Sequence, residues 1–151
     1  MKECKWYLLD VSVVKINCDG ASRSNPGQSG LGCIFRNWQS NFLLVIAKGI
    51  GLGTNFEAEC GAVIEGVEEA VKRGWLKIWI ESDSTTAIQA FAKSKKLQFC
   101  LLSHTWREVN YSANQAANKG VGLSAGDDII FAGRPPWIVR WENAFQAFER
   151  L

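Results

Sequence analysis

The sequence predicts a mixed α/β fold in which helices flank a five-stranded sheet with both antiparallel and parallel pairing. Three strand-like segments come first, with no helix between them, as in an antiparallel meander. Helices then alternate with two further strands, a pattern typical of parallel strands joined by helical crossovers. Together these observations indicate three antiparallel strands followed by two parallel ones.

Alternation of apolar and polar residues defines the first three strands. In residues 11–19, Val14, Ile16 and Cys18 fall on one face of the predicted strand. Residues 20–30 are rich in Gly, Ser, Asn and Pro and predict a turn. The next two strands are predicted over residues 31–36 and 42–49, joined by a hairpin.

Helix signals then mark the second half of the fold. Thr54 and Glu57 have the spacing of a capping box, and Gly74 is a natural end for the helix that follows. An apolar stripe along this helix comprises Phe56, Cys60, Val63, Val67 and Ala70. The remaining elements are predicted as a strand over residues 76–82, a helix over about 85–93, a strand over about 97–103 and a helix over 111–119.

Length and composition indicate one globular domain. The chain has 151 residues, 47% of them hydrophobic and 21% charged. We assign residues 12–124 to the domain and residues 125–151 to a C-terminal tail with a possible amphipathic helix.

The net charge of +2 neither indicates nor excludes a nucleic-acid partner. Since no membrane-spanning run or signal peptide is evident, we expect an intracellular protein without a membrane partner; nucleus and cytoplasm are not distinguished, nor is the oligomeric state.

The cysteines indicate reduced thiols. There are five of them, none in a Cys-x-x-Cys pair, and His104 is the sole histidine. A zinc site needs closely spaced ligand pairs, so the sequence argues against one.

Carboxylates occur at the ends of two predicted strands. Asp19 and Asp83 each follow an apolar strand, and Glu59 lies near the start of the first helix on its sheet-facing side. If the two strands are parallel neighbours, both aspartates emerge at one sheet edge. Clustered carboxylates repel one another unless a cation neutralises them, and oxygen ligands favour Mg²⁺ or Mn²⁺. The alternatives are structural: Asp19 as a turn residue, Asp83 as a helix cap and Glu59 as a partner of the helix dipole.

Four motifs in order resemble the ribonuclease H-like superfamily, over residues 15–122. The first is Ile-Asn-Cys-Asp-Gly-Ala at residues 16–21, with Asn-Pro-Gly at 25–27 and Gly-Leu-Gly at 30–32. The second is Thr-Asn-Phe-Glu-Ala-Glu at 54–59, and the third Glu-Ser-Asp-Ser at 81–84. The fourth, His-Thr-Trp-Arg-Glu-Val-Asn at 104–110 followed by Ala-Asn-Gln-Ala-Ala at 113–117, resembles the plant ribonuclease H-like group associated with reverse transcriptases.

The resemblance implies a ribonuclease H-like fold and hydrolysis of the RNA strand of RNA–DNA hybrids. In such a site Asp19, Glu59 and Asp83 would hold two Mg²⁺ ions, with Mn²⁺ as an alternative, about 4 Å apart. One ion would activate water and the other would stabilise the leaving 3′ oxygen. His104 aligns with a loop histidine that assists proton transfer or product release; the alternative is an ordinary surface residue.

The same resemblance implies contacts to nucleic acid. Asn25 and Asn55 match asparagines that contact the RNA strand, partly through 2′-hydroxyl groups. Thr54 matches a position near the phosphate pocket for the DNA strand. Its alternative role is the helix cap, and one hydroxyl can serve both purposes.

The main departure from the family pattern is Asn114, which stands at the fourth acidic position. Its amide offers a carbonyl oxygen but no negative charge, and it cannot act as a base. We therefore expect weaker binding of the second metal and reduced or lost cleavage. The alternative is a shifted register in which Asp127 or Asp128 supplies the missing acid.

A second departure is the short stretch between Asp83 and His104, where the family has further helices. The basic residues 93–96 either contact phosphates or form a solvated helix end. In the tail, Trp137, Arg140 and Trp141 either stack on nucleotides or pack on a core or a partner helix.

Three hypotheses follow for function. The first is a hybrid-cleaving ribonuclease weakened by Asn114. The second is a nucleic-acid-binding module without turnover. The third is an interaction domain derived from a mobile-element ribonuclease H, against which the presence of the three acids and of Asn25 and Asn55 argues.

Overall fold

The fold is a mixed sheet with helices on both faces, seen in a computed structural model that describes residues 12–91, 99–105 and 110–138. Within these residues the sheet has six strands in the order β5-β4-β1-β2-β3-β6. The strands are β1 (Val14–Ser22), β2 (Gly27–Arg36), β3 (Phe42–Gly53), β4 (Lys77–Ser82), β5 (Phe99–His104) and β6 (Asp128–Ala132). The helices are α1 (Asn55–Lys72), α2 (Thr85–Phe91) and α3 (Tyr111–Val121).

Strand pairing confirms the predicted mixed sheet. β1, β2 and β3 form an antiparallel meander, and β4 and β5 run parallel to β1. The structure adds β6, which pairs antiparallel with β3 and extends the sheet at that side. This strand is not predicted from the sequence, because its apolar run of Ile129, Ile130 and Phe131 is too short to show a period.

The first strands are longer than predicted, because antiparallel pairing continues into the glycine-rich segments. β1 extends past Asp19 to Ser22, and β2 begins at Gly27 rather than at residue 31. Asp19 therefore lies inside β1 and not at its end or in a turn. β3 runs on to Gly53 instead of ending at residue 49. Of the predicted turn, only residues 23–26 connect the strands.

The later elements agree with prediction except at their ends. β4 and α3 begin within a residue of the predicted positions, and α3 continues to Val121. The end of the predicted second helix and the basic residues 93–96 lie outside the described residues. β5 begins at Phe99 and ends at His104.

Two apolar clusters cover the faces of the sheet. On one face α1 and α2 pack on side chains such as Ile16, Phe35 and Ile80. On the other face α3 packs on a smaller cluster through Ala113 and Ala116. Because the sheet is buried on both faces, residues that alternate along β1 contact different helices.

Helix α1 begins with the predicted capping box. The Thr54 side chain accepts a hydrogen bond from the Glu57 backbone, and the Glu57 side chain accepts one from the Thr54 backbone. Gly74 follows the helix with φ +76°, which confirms its predicted role at the end. Phe56, which we predicted in the buried stripe, is instead 46% exposed.

The face of α1 that is buried against the sheet consists mostly of small residues and differs from the predicted apolar stripe. Its buried residues include Ala58, Ala62, Gly66 and Ala70, spaced four residues apart. A Cβ atom at Gly66 would lie 3.1 Å from the Ile16 side chain. The helix therefore lies close to the sheet along this line, and the larger Cys60 and Val67 pack at its flank.

Glycines also bring α3 close to the sheet. A Cβ atom at Gly32 would lie 2.4 Å from the backbone nitrogen of Ala117, and one at Gly30 would lie 2.2 Å from that of Val121. Both distances are far below van der Waals contact, so a larger residue at either position would push α3 away.

The predicted C-terminal tail contacts the α3 side of the sheet where the structure describes it. Ile138 is buried with Ile34 and Val45, and Trp137 packs beside them with the Lys119 ammonium 5.7 Å from its ring centre. For Trp137 this contact favours packing over stacking on nucleotides. Arg140, Trp141 and most of the possible amphipathic helix lie outside the described residues.

Across the parts of the chain that the structure describes, no helix is long and apolar enough to cross a membrane.

We expect Gly32→Ala to destabilise the protein by about 1–3 kcal/mol, because the new methyl group overlaps the α3 backbone. The matched control is Gly61→Ala, whose Cβ atom would meet only the Leu31 side chain at 3.4 Å. Since Gly61 lies inside α1, this control should be neutral or stabilising by up to about 1 kcal/mol. Urea denaturation measures both. Equal effects of the two substitutions would contradict the close packing of α3.

Candidate metal-binding site

Three carboxylates meet where the pairing of β1 with β4 ends. The last parallel pair joins Cys18 to Ser82, so the next residues are Asp19, still within β1, and Asp83, which directly follows β4. Glu59 reaches the same point from the second turn of α1. One carboxylate oxygen from each of the three residues lies within 4.8 Å of the other two. The structure thus brings together the three acids predicted from separate motifs.

A glycine beside Asp19 allows Glu59 to approach. A Cβ atom at Gly20 would lie 2.3 Å from the Glu59 backbone nitrogen and 2.3 Å from the Ala58 carbonyl carbon. The absence of a side chain at residue 20 therefore lets the start of α1 rest against β1, which places the Glu59 carboxylate near Asp19.

The three carboxylates line a polar cleft of about 250 Å³. Its lining includes the β1 residues from Asp19 onward and residues from α1 and α3. The lining residues are Asp19, Gly20, Ala21, Ser22, Asn55, Glu59, Asp83 and Asn114. A cleft with this lining suits a charged, hydrated ligand rather than an apolar one.

Asp19 is the most perturbed member of the cluster. Its burial, reinforced by the nearby Asp83 carboxylate, raises its pKa to about 7; Glu59 adds a smaller effect in the same direction. Hydrogen bonds from the Asn114 side chain and the Gly20 backbone oppose this rise in pKa. The ionised form of Asp19 is thus costly unless a positive charge compensates it.

The helix-cap alternative for Asp83 is wrong. Ser84, the residue directly before α2, accepts a hydrogen bond from the Ala87 backbone at 3.2 Å and so caps this helix. Asp83 lies one residue earlier and faces the cleft.

Asn114 occupies the predicted fourth position. Its Nδ2 donates a hydrogen bond to Oδ2 of Asp19 at 3.0 Å, and its Oδ1 accepts one from Nδ2 of Asn118 at 3.1 Å. The alternative register is wrong: Asp128 belongs to β6 and Asp127 precedes it, three strands from β1 in the sheet. At the usual strand spacing this separation is about 14 Å.

The predicted nucleic-acid contacts lie along one side of the cleft. The exposed Asn25 accepts a hydrogen bond through Oδ1 from the Asn55 backbone at 3.0 Å, which joins the β1–β2 connection to the start of α1. Asn55 also lines the cleft. Thr54 caps α1, so its structural role is established by its hydrogen bonds. His104 ends β5 opposite Ser82, and the position of its side chain lies outside the described structure.

A buried polar network lies next to the site, and the sequence did not predict it. Asn110 is 1% exposed; it donates a hydrogen bond to the Cys18 carbonyl at 2.9 Å and accepts one from Asn17 at 3.1 Å. Asn17 also accepts a hydrogen bond from Arg36 at 3.1 Å, and Glu81 forms an ion pair with Lys15 at 3.0 Å. The available signal was that Asn17 and Asn110 both belong to the motifs quoted from the sequence, the first and the fourth.

The three carboxylates fit a divalent cation. They supply hard oxygen ligands from three separate elements, and their mutual repulsion would be relieved by a bound positive charge. Asn114 presents its amide nitrogen to Asp19 and adds no charge, so the ligand set described here is Asp19, Glu59 and Asp83.

One family model and several known proteins match this chain. A family model described as reverse transcriptase-like matches residues 17–98. The bifunctional protein Rv2228c of Mycobacterium tuberculosis is 31% identical over 111 residues, which cover 65% of this chain and 30% of that protein. EbsB of Enterococcus faecalis is 30% identical over 105 residues, which cover 66% of this chain and 76% of EbsB. An Arabidopsis thaliana protein named for ribonuclease H is 27% identical over 139 residues, 80% of this chain and 22% of that protein. The chain thus spans less than a third of the mycobacterial relative.

Solved structures share the fold. Ribonuclease H1 from Halobacterium salinarum superposes with a TM-score of 0.67 at 23% identity, covering 72% of this chain and 97% of that chain. The N-terminal ribonuclease H domain of Rv2228c, solved as a fusion with maltose-binding protein, superposes with a TM-score of 0.65 at 26% identity. The match covers 72% of this chain and 93% of that chain. LC11 ribonuclease H1 in complex with an RNA/DNA hybrid superposes with a TM-score of 0.64 at 22% identity, covering 72% of this chain and 96% of that chain. The ribonuclease H-like fold predicted from the motifs is confirmed.

The raised pKa of Asp19 predicts that the metal-free protein loses stability as pH rises from about 4 to about 7. In that interval the folded protein holds a proton that the unfolded chain has released. Asp19→Asn should therefore be more stable than the wild type at pH 8, by about 1–3 kcal/mol, with the difference shrinking toward pH 4. Urea denaturation in a chelator at several pH values measures it. Asp127→Asn removes an exposed carboxylate and is the control; the same pH dependence in both variants would contradict the prediction.

Replacing Asn110 should destabilise the fold, because it removes two buried hydrogen bonds, one to the Cys18 carbonyl and one from the Asn17 amide. We expect Asn110→Leu to lower the free energy of unfolding by about 2 kcal/mol or more. The exposed Asn118→Leu on the same helix should change it by less than about 0.5 kcal/mol. Denaturation curves of the two variants that coincide would show that the network contributes nothing.

Proposed function

We propose, because the chain belongs to the reverse transcriptase-like family and has a ribonuclease H-like fold, that its acidic cleft is a metal-dependent nuclease site for the RNA strand of RNA–DNA hybrids. The observation that carries the proposal is the convergence of Asp19, Glu59 and Asp83 within 4.8 Å. Three acids from three motifs meet at one sheet edge, at the mouth of a polar cleft. The finer placement in the plant ribonuclease H-like group is part of the proposal, supported by the last motif and by the Arabidopsis relative.

The proposed cofactor is Mg²⁺, with Mn²⁺ as an alternative. Asp19, Glu59 and Asp83 would hold it, since carboxylate oxygens are the ligands these cations prefer. When bound, such a cation supplies Lewis-acid polarisation of the phosphodiester and an activated water. The chain contributes the rest: the buried Asp19 is fixed by β1, Asp83 by the end of β4, and Glu59 by its contact with Gly20.

The proposed substrate is an RNA–DNA hybrid. Asn25 and Asn55 are joined by a hydrogen bond beside the acids, where amides can contact 2′-hydroxyl groups and so distinguish RNA from DNA. LC11 ribonuclease H1, which shares the fold, has been solved with an RNA/DNA hybrid. His104 would assist proton transfer or product release, as the family resemblance implies.

A specific observation supports a second candidate function, a binding module without turnover. Asn114 places an amide nitrogen, rather than a ligand oxygen, against Asp19. The site therefore has one ligand and one negative charge fewer than the family pattern, which weakens cation binding while leaving Asn25 and Asn55 in place. Binding and cleavage are thus separable in this chain.

A cleavage assay tests the proposal. The protein is incubated with a labelled RNA–DNA hybrid and Mg²⁺ or Mn²⁺, beside Asp19→Asn, Asn114→Asp and the control Asp127→Asn. We expect slow cleavage that Asp19→Asn lowers by roughly a hundredfold or more, because an essential ligand is lost. Asn114→Asp should increase the rate, and Asp127→Asn should not change it.

Other outcomes separate the two functions. Hybrid binding without cleavage, together with activity gained in Asn114→Asp, would assign the protein to the binding module. If the wild type neither binds the hybrid nor cleaves it, and Asn114→Asp restores nothing, both functions are wrong.

A further inference from the structure

The amide of Asn114 is held in one orientation by hydrogen bonds at both of its ends. Its Nδ2 donates to Oδ2 of Asp19 at 3.0 Å, and its Oδ1 accepts from Nδ2 of Asn118 at 3.1 Å. Asn118 lies four residues further along α3, so the two side chains are neighbours on one face of the helix.

Hydrogen-bond chemistry decides which end of the amide faces the acids. In the ionised form that binds a cation, the Asp19 carboxylate only accepts hydrogen bonds, so the nitrogen of Asn114 faces it, as the 3.0 Å hydrogen bond shows. The oxygen, which is the one atom of this side chain able to bind a cation, then faces away from the acids toward Asn118. Because Asn118 donates to that oxygen, it opposes the rotation that would turn the oxygen into the cleft.

We propose that Asn118 is a positioning residue that keeps the Asn114 oxygen out of the acidic cleft, so that the site binds one divalent cation instead of two. This inference rests on the proposed function, since it concerns the cation of that site. The N–H group of Asn114 satisfies Asp19 at the place where the family has a fourth carboxylate. Asp19, Glu59 and Asp83 remain as ligands for a single ion.

The exposure of the two residues makes the idea testable without unfolding the protein. Asn118 is exposed and Asn114 is half-buried, while the neighbouring Ala116 and Ala117 form the contact of α3 with the sheet. Substitutions at residue 118 therefore alter the hydrogen bond and leave the core of the helix contact intact.

The first experiment needs no metal. The side-chain amide signal of Asn114 is assigned by its absence in Asn114→Asp, and its hydrogen exchange is measured by nuclear magnetic resonance in a chelator. Asn118→Leu should speed this exchange about two- to tenfold, as expected for the loss of one hydrogen bond. Asn118→Gln keeps an amide donor and should stay near the wild-type rate. An unchanged rate in Asn118→Leu would overturn the role of Asn118.

The second experiment counts Mn²⁺ ions bound to the full chain by electron paramagnetic resonance. We expect one strongly bound ion for the wild type, with any second ion binding only weakly, and two strongly bound ions for Asn114→Asp. In Asn118→Leu, where the oxygen is free to turn, a weak second ion should bind about two- to tenfold more tightly than in the wild type. Two ions in the wild type, one of which is lost in Asn114→Leu, would show that Asn114 is a ligand and would overturn the proposal.

The two experiments distinguish this inference from the proposed function. If no variant binds Mn²⁺, the proposed function and the single-cation site both fail, while the exchange rates still decide whether Asn118 orients Asn114. If the wild type binds one ion and Asn118→Leu speeds the exchange, the inference holds even when the hybrid is not cleaved, and the second candidate function is then favoured.

Discussion

The site depends on how closely two helices approach β1, one on each face of the sheet. Gly20 allows the start of α1 to contact β1, and Gly32, the cross-strand partner of Asp19, allows α3 to lie over the same point from the other side. Any side chain at either position would overlap helix backbone. Because both helices are held at this distance, Glu59 and Asn114 reach Asp19, and residues from three motifs become one cluster.

The same closeness makes the cluster electrostatically unfavourable without a cation. Asp19 is 4% exposed and lies beside two other carboxylates, which is why its pKa rises to about 7. The buried polar network built on Asn17 and Asn110 holds β1 and the start of α3 together through hydrogen bonds to the Asn17 side chain and the Cys18 carbonyl. The protein therefore tolerates a destabilising site on a well-supported framework, as functional sites often require.

Sequence patterns predicted the parts of this arrangement that local chemistry determines. The strands, the capping box of Thr54 and the three acids each have a signal within a few residues. The role of Asn110 and the orientation of Asn114 depend on partners more than 90 residues away, Cys18 and Asp19, and no local pattern reports them. β6 was missed for a related reason, since its five residues become a strand only by pairing with β3. Asp19 itself was predicted in the right place but at the wrong point of its strand, because glycines in paired strands resemble a turn.

Asn114 changes the balance between stability and metal affinity. A carboxylate at this position would add a fourth negative charge beside a buried aspartate, and would raise the pKa of Asp19 further unless cations were bound. The amide does the opposite: its hydrogen bond lowers the pKa of Asp19 relative to what burial alone would produce. Replacing an acceptor by a donor thus turns a repulsion into an attraction, and the metal-free fold becomes less dependent on a cation. The same hydrogen bond occupies an Asp19 oxygen that would otherwise be available to a second ion, so the gain in metal-free stability and the loss of metal affinity have one physical cause.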